Sequence, residues 1–182
     1  VSDIVMDCLM CGRCEAKCPV GIELGPLRMI QRREGKHPGV SIPVLSQYAL
    51  KRTPVTTEKE ITHSYSYLAP PEEIKADVLF FAGCMSHLTP SVIVAMKKIF
   101  EEADVNYRFM DEEGGVCCGR PLMLAGRDKE ARELINHNSS VIWKSGAKML
   151  VTSCPICYKV FNESYYLDVE VLHHTQFIDM LI

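Results

Sequence analysis

From Ala76 onward, short apolar runs alternate with longer stretches in which apolar residues return every three or four positions. Val78-Leu79-Phe80-Phe81-Ala82 is apolar without a break, which predicts a strand buried on both faces. Pro90 to Ala103 follows with Val92, Met96, Ile99 and Ala103 on one helical face. The pattern then repeats. Asn106 to Met110 predicts a second strand, and Asp128 to Lys144 a long helix that turns Ala131, Leu134, Ile135, Val141 and Ile142 inward. Met149 to Thr152 predicts a third strand, and Val169 to Leu172 a fourth, followed by a helix from Thr175. Strands and helices in this alternation predict an α/β fold, a mainly parallel open sheet with flanking helices and right-handed crossovers.

Upstream the pattern is different. Gly21 to Pro26 reads as a turn, and Pro26 to Glu34 as a short helix started by the proline and stopped by Gly35, so the first part is a small, mainly helical segment. Pro43, Pro54, Pro70 and Pro71, with Ser and Thr clusters, mark a connection that one helix near Pro43 to Lys51 interrupts. The expected division is 1–40, 41–75 as connector, and 76–182. Composition adds exclusions. With 20 basic and 23 acidic side chains and a formal charge of -3, the chain has no basic stripe for nucleic acid. No apolar run reaches the 18 or so residues of a spanning helix, so no transmembrane segment is expected and any membrane association would run through a partner. Nine cysteines in ligand-like spacing and no secretory leader point to the cytoplasm. The start at Val1, with the first cysteine at position 8, gives the expectation of a chain cut from something longer.

The cysteines change the picture most. Cys8-x-x-Cys11-x-x-Cys14-x-x-x-Cys18-Pro19 is the spacing of the bacterial ferredoxin run that holds a 4Fe-4S cluster, because two residues between cysteines let a tight loop wrap the corners of a cubane. Paired cysteines also bind zinc, the competing reading. Cys8, Cys11 and Cys14 are expected to hold three irons. Cys18 either closes the same cluster or serves a second one whose other ligands lie outside this chain. Arg13, Lys17 and Arg28 are candidates to offset cluster charge, and Met10, Ile22 and Leu24 to exclude water.

The remaining five cysteines each follow a predicted strand: Cys84 the first, Cys117-Cys118 the second, Cys154-x-x-Cys157 the third. Ligands in open parallel sheets sit beyond the carboxyl ends of the strands, so one edge gathers five thiols. Gly114, Gly115 and Gly119 give the adjacent pair a permissive loop. His173 and His174 close the fourth strand at the same edge. With His87 they are candidate proton donors to a leaving thiolate. Arg120 is a candidate for a substrate carboxylate or for a helix start, and Met85 and Met123 for apolar lining.

Gly83-Cys84, Gly115-Val116-Cys117-Cys118-Gly119-Arg120-Pro121 and Ser153-Cys154-Pro155-Ile156-Cys157 resemble the CCG-domain (cysteine-rich) iron-sulfur family. That family includes heterodisulfide reductase subunits and the iron-sulfur subunits of lactate, glycolate and glycerol-3-phosphate oxidising enzymes. Members of the heterodisulfide reductase type usually carry two such modules and two ferredoxin runs, and this chain carries one of each. The resemblance implies that Cys84, Cys117, Cys118, Cys154 and Cys157 hold a noncubane 4Fe-4S cluster that takes a substrate sulfur and delivers single electrons for disulfide cleavage. The alternative there is structural zinc on four of the five thiolates.

The resulting expectation is an iron-sulfur electron-transfer subunit of an oxidoreductase, heterodisulfide-reductase-like. Its partner would be a flavoprotein or another iron-sulfur subunit, because no G-x-G-x-x-G fingerprint is present. The alternatives are a relay subunit of a lactate/glycolate or glycerol-3-phosphate dehydrogenase complex, and a zinc-stabilised docking module.

Overall fold

A computed structural model describes residues 5, 7–34, 76–111 and 116–182. The expected connector, its helix near Pro43 to Lys51, and Gly114 and Gly115 lie outside the described residues. Four strands, β1 (Val78–Phe81), β2 (Tyr107–Phe109), β3 (Met149–Thr152) and β4 (Glu170–His173), form one sheet in the order β2-β1-β3-β4. Every pairing is parallel, with Phe80 opposite Val151 and Thr152 opposite His173. The chain runs outward from β1 to β2, crosses back to β3 on the other side of β1, and continues to β4. The reversal of direction falls between β1 and β3, where the carboxyl ends of two adjacent strands diverge and leave a crevice.

Successive side chains of a strand point to opposite faces, and both faces here are covered. Val78 and Phe80 pack with Val151 and Leu172 against Ile93, Met96 and Phe100 of helix α3 (Pro90–Glu102) and Phe177 of helix α7 (His174–Leu181). Leu79 and Phe81 pack with Leu150 against Ile142 of helix α5 (Asp128–Ser145) and Val160 and Phe161 of helix α6 (Pro155–Ser164). The two layers are locked by edge-on aromatic pairs, Phe80 on Phe100 at 5.3 Å and Phe81 on Phe161 at 4.9 Å. Each of these fully buried rings contributes roughly 1.5–3 kcal/mol of transfer free energy. Pro90 and Pro155 open their helices at the position where a missing N–H costs nothing, and Gly146 closes α5 in the left-handed region.

The helical N-terminal segment consists of α1 (Arg13–Ala16) and α2 (Leu24–Glu34), and helix α4 (Arg120–Leu124) follows the vicinal cysteines. Several expected boundaries move. Helix α2 starts at Leu24 rather than Pro26, because a proline is tolerated anywhere in the first turn, where N–H groups lack intrahelical partners. Ala103 lies outside α3 and is exposed, while Ile93 and Phe100 take the buried stripe with Met96. Strand β4 extends through His173, which caps α7: its N–H donates to Gln176 Oε1 at 2.9 Å, so that helix begins at His174, not Thr175. Helices α4 and α6 are additions to the elements that the sequence pattern predicts. No helix among the described residues is long and apolar enough to cross a membrane.

Candidate metal centre

All five downstream cysteines arrive at the β1/β3 end of the sheet, four of them buried and Cys154 half-buried. Their loops are fixed by groups that the fold supplies. After β1 the chain turns through Gly83 at φ 83°, where an added Cβ would stand 3.0 Å from Cys157 Sγ and 3.6 Å from Cys154 Cβ. The loops after β1 and β3 therefore touch only because residue 83 has no side chain. Asp111, fully buried, holds the same turn: its carboxylate accepts from Ala82 N at 2.9 Å and Gly83 N at 2.8 Å. His87 completes the carboxylate's partners, Nε2 to Oδ2 at 3.1 Å, with its ring stacked over Phe109. That engagement turns His87 toward Asp111, in a role not expected of it.

Cys117 and Cys118 lie between Val116 and Gly119, which sits at φ 97° and caps α4. Gly119 N–H donates to Cys117 Sγ at 3.3 Å, and the Arg120 N–H donates to the Cys118 thiolate. Arg120 is the first residue of α4, in keeping with the helix-start reading. Asn138 reaches the pair from α5, donating through Nδ2 to Cys117 O at 3.0 Å and to Tyr165 Oη at 3.0 Å, while Tyr165 Oη donates to Cys118 O at 3.0 Å. Cys154 caps α6 and Cys157 lies one turn inside it, so the backbone N–H groups of Ile156 and Cys157 both face the Cys154 sulfur.

The thiols are joined in one chain of hydrogen bonds, Cys84 to Cys117 to Cys118 to Cys157 to Cys154. Donors and acceptors alternate along it. Cys84 is pushed far up by donating to Cys117 and by burial, and Cys117 is raised by donating to Cys118. Cys118, accepting from Cys117 and then Cys157, is held well below the usual thiol range. Cys157 is raised by donating to Cys118 and Cys154, and Cys154, accepting from Cys157, is brought down to about 6. Burial pushes the Tyr165 hydroxyl well above the usual phenol range. Among the described residues no three cysteine, histidine or carboxylate side chains surround a single ion-sized point. The donor set is thus five soft sulfurs spread around a crevice, with amide N–H groups pointing at them. It suits a group larger than one ion, and thiolate is the ligand such groups take.

His173 and His174 do stand at this edge. His173 Nδ1 bonds Thr175 Oγ1 at 2.8 Å, and its Nε2 and His174 Nδ1 are buried without a partner. Desolvation, then the neighbouring His173, lowers the His174 pKa below the usual imidazole range. Met85 is exposed rather than lining, and Met123 packs beside Cys117 and Leu122.

In the N-terminal run, Cys8, Cys11 and Cys14 line one small cavity of about 70 Å³ with Met10, Gly12 and Arg28. Cys18 is not among its walls. The Cys18 thiol instead accepts from Ile22 N–H at 3.3 Å, and that bond, with those of Val20 and Gly21, lowers its pKa. Of the three expected cations only Arg28 reaches the cavity wall; Arg13 and Lys17 are exposed, and Ile22 is about half exposed. Arg32, buried among carbonyls, bonds Val5 O at 3.0 Å and 2.9 Å, Cys8 O at 2.5 Å and Leu124 O at 2.5 Å. Arg33 adds an ion pair with Asp128 at 2.6 Å, in the first turn of α5, where an acidic side chain favours the helix dipole.

Asp111, Asn138, Tyr165 and Arg32 hold backbone atoms of the cysteine loops, and the motifs do not point to them. Asn138 alone carries a signal in the sequence, sitting between Leu134 and Ile142 on the inward stripe of α5.

A family model described as "Cysteine-rich domain" (CCG) matches residues 78–162. A dihydromethanophenazine:CoB--CoM heterodisulfide reductase polypeptide from Methanosarcina barkeri is 27% identical over 99% of this chain and 47% of its own length. The EtfAB:quinone oxidoreductase of Syntrophomonas wolfei is 22% identical over 100% of this chain and 28% of its own length. The Bacillus subtilis protein named "Probable iron-sulfur-binding oxidoreductase FadF" is 23% identical over 96% and 28%. The chain spans about half the length of the first of these relatives. No solved structure matches.

Proposed function

We propose, for a chain whose residues 78–162 belong to the CCG cysteine-rich family, that it is an iron-sulfur electron-transfer part of an oxidoreductase of the heterodisulfide reductase type. The observation that carries this reading is the unbroken sequence of five thiols across the β1/β3 crevice, two of them, Cys118 and Cys154, held below the usual thiol range by the hydrogen bonds they accept. In this reading Cys84, Cys117, Cys118, Cys154 and Cys157 hold a noncubane 4Fe-4S cluster, and Cys8, Cys11 and Cys14 hold a ferredoxin-type 4Fe-4S cluster. When bound, these groups supply single electrons, two of which with two protons convert a disulfide into two thiols.

What the protein itself contributes follows from the groups around the sulfurs. The N–H groups of Gly119, Arg120, Ile156 and Cys157 stabilise negative charge on sulfur, and such bonds move cluster potentials within a range of about -700 to +450 mV. The Gly83 turn sets the width of the crevice. The partnerless ring nitrogens of His173 and His174, at the same sheet edge, are candidates for returning a proton to a departing thiolate, and Arg120, at the start of α4, for a substrate carboxylate. Cys18, whose thiol accepts from Ile22 N–H and does not line the three-cysteine cavity, fits a ligand to a cluster completed by residues outside this chain. Electrons come from a flavoprotein or another iron-sulfur subunit, in the cytoplasm.

The similarity to an EtfAB:quinone oxidoreductase favours a second reading, in which the five-cysteine site is a relay between a flavin partner and an acceptor, as in complexes that oxidise lactate, glycolate or glycerol 3-phosphate. A single structural zinc is disfavoured, because the thiols string out along the crevice and no three among the described residues converge on one point. Anaerobic purification with iron, sulfide and zinc counts, followed by EPR with and without a thiol or disulfide, separates the three. Disulfide reduction requires a signal at the second site that changes with the added sulfur compound. An unresponsive iron signal leaves the relay, and zinc in place of iron overturns both.

A further inference from the structure

Adjacent cysteines do not by themselves point two thiols into one site, because neighbouring side chains along an extended backbone diverge to opposite faces. Something must fix the two peptide planes. In this chain the carbonyls of Cys117 and Cys118 are both pulled toward the α5/α6 side of the core, the first by Asn138 Nδ2 and the second by Tyr165 Oη, each at 3.0 Å. Asn138 Nδ2 also donates to Tyr165 Oη at 3.0 Å, so the two anchors are themselves tied. Both side chains are buried, Asn138 completely, and both direct their donors to backbone carbonyls and to each other rather than to a sulfur. A peptide plane held by its carbonyl presents its N–H on the opposite side. Those opposite N–H groups belong to Cys118 and Gly119, and the Gly119 N–H is the one that meets the Cys117 sulfur, at 3.3 Å.

We propose that Asn138 and Tyr165 are positioning residues for the vicinal cysteines: by anchoring the two carbonyls they fix the peptide planes on either side of Cys118, and with them the direction of both thiols, and Tyr165 aims the Gly119 amide at the Cys117 sulfur. The inference rests on the five-cysteine site being a metal centre only for its purpose; the geometry is a property of the polypeptide. A buried polar pair of this kind is costly to leave half-made, since each unmet group carries its full desolvation penalty. Its placement on two different helices, α5 and the residue just past α6, makes the orientation of the pair depend on the α/β core being closed.

The test uses Tyr165→Phe, which removes the hydroxyl and keeps the ring against Phe161, and Asn138→Leu as a second variant of similar volume. Alkylation rates at each cysteine of the reduced, metal-free chain are followed by mass spectrometry with iodoacetamide. Iron content, EPR and thermal unfolding are measured on the anaerobically purified protein. Loss of one neutral hydrogen bond worth about 1 kcal/mol predicts an approximately fivefold faster alkylation of Cys117, the thiol that the Gly119 amide meets, in Tyr165→Phe. Cys84 and Cys157 should stay within twofold. In the iron-loaded protein the EPR signature of the five-cysteine site shifts at unchanged iron content. Equal acceleration at all five cysteines, which a merely loosened core would give, or no selective change at Cys117 and Cys118 in a folded variant, overturns the proposal. A wild-type chain that binds no iron at this site overturns the proposed function instead, and the alkylation rates still decide the positioning role.

Discussion

Replacing Gly83 with alanine should destabilise the chain well beyond an ordinary surface substitution, and the reason divides into two measurable parts. The backbone there sits at φ 83°, a left-handed conformation that costs an L-residue roughly 1–2 kcal/mol. The new methyl would also lie 3.0 Å from Cys157 Sγ and 3.4 Å from Phe81 Cε1. Neither neighbour has room to move, because both are buried in the core cluster on the α5/α6 face, and overpacking of this kind costs typically 1–3 kcal/mol. The sum, about 2–5 kcal/mol, is a large share of a typical stability of roughly 5–15 kcal/mol. Gly21→Ala provides the control, since Gly21 has φ 68° with nothing within 4 Å of an added Cβ and so isolates the backbone part. Urea unfolding followed by circular dichroism measures both variants, and the difference between them is the steric part. Iron at the five-cysteine site should be lost in Gly83→Ala while the ferredoxin-type signal persists. If Gly83→Ala costs no more than Gly21→Ala, the loops after β1 and β3 are not in contact through residue 83 and the crevice is wider than described.

Three further outcomes follow from other contacts. Asp111→Asn keeps the shape but leaves at least one of the Ala82 and Gly83 amides with a weaker acceptor; it should cost about 1.5–3 kcal/mol in urea unfolding and make Cys84 react faster with iodoacetamide. In the metal-free chain the Cys154 thiolate persists down to about pH 6, so its alkylation rate should titrate there rather than near the usual thiol range. Because this folded-state pKa is depressed, its contribution to stability is fully present above the unfolded value of 9.0 and is lost as pH falls through about 6; a rate that titrates near 9 would refute the assignment. Arg32→Met removes bonds to Val5, Cys8 and Leu124 carbonyls, each worth roughly 1.5–3 kcal/mol when the donor is charged, and should raise amide hydrogen exchange around Cys8 to Cys18 while β1 and β3 keep their protection.

The α/β alternation is legible in the sequence because each apolar run is long enough to name its period: Val78 to Phe81 has no polar break, and Asp128 to Ser145 returns an inward residue at each turn. The cysteine edge follows from strand ends alone, and β1 and β3 indeed bring Cys84, Cys154 and Cys157 together. Helix α6 is hidden because Cys154 and Cys157 read as a metal loop, when the pair is in fact a helix cap and a residue one turn further in. The anchors are hidden for a different reason. Asp111, Asn138, Tyr165 and Arg32 act over separations of 21 to 92 residues on backbone atoms, and a backbone N–H or carbonyl has no signature in sequence. Spacing singles out which side chains are candidate ligands; it is silent on what holds them still.

Arg32 also imposes an order on biogenesis. Translation delivers the N-terminal cysteines first, yet one of the carbonyls that the Arg32 guanidinium grips belongs to Leu124, 92 residues later. Until α4 has left the ribosome and folded, that buried cation lacks part of its cage, and a charge without its partners does not stay in the interior. The segment made first therefore cannot complete its docking until the middle of the chain has emerged, so the two ends of that contact fold as one unit rather than in N-to-C order.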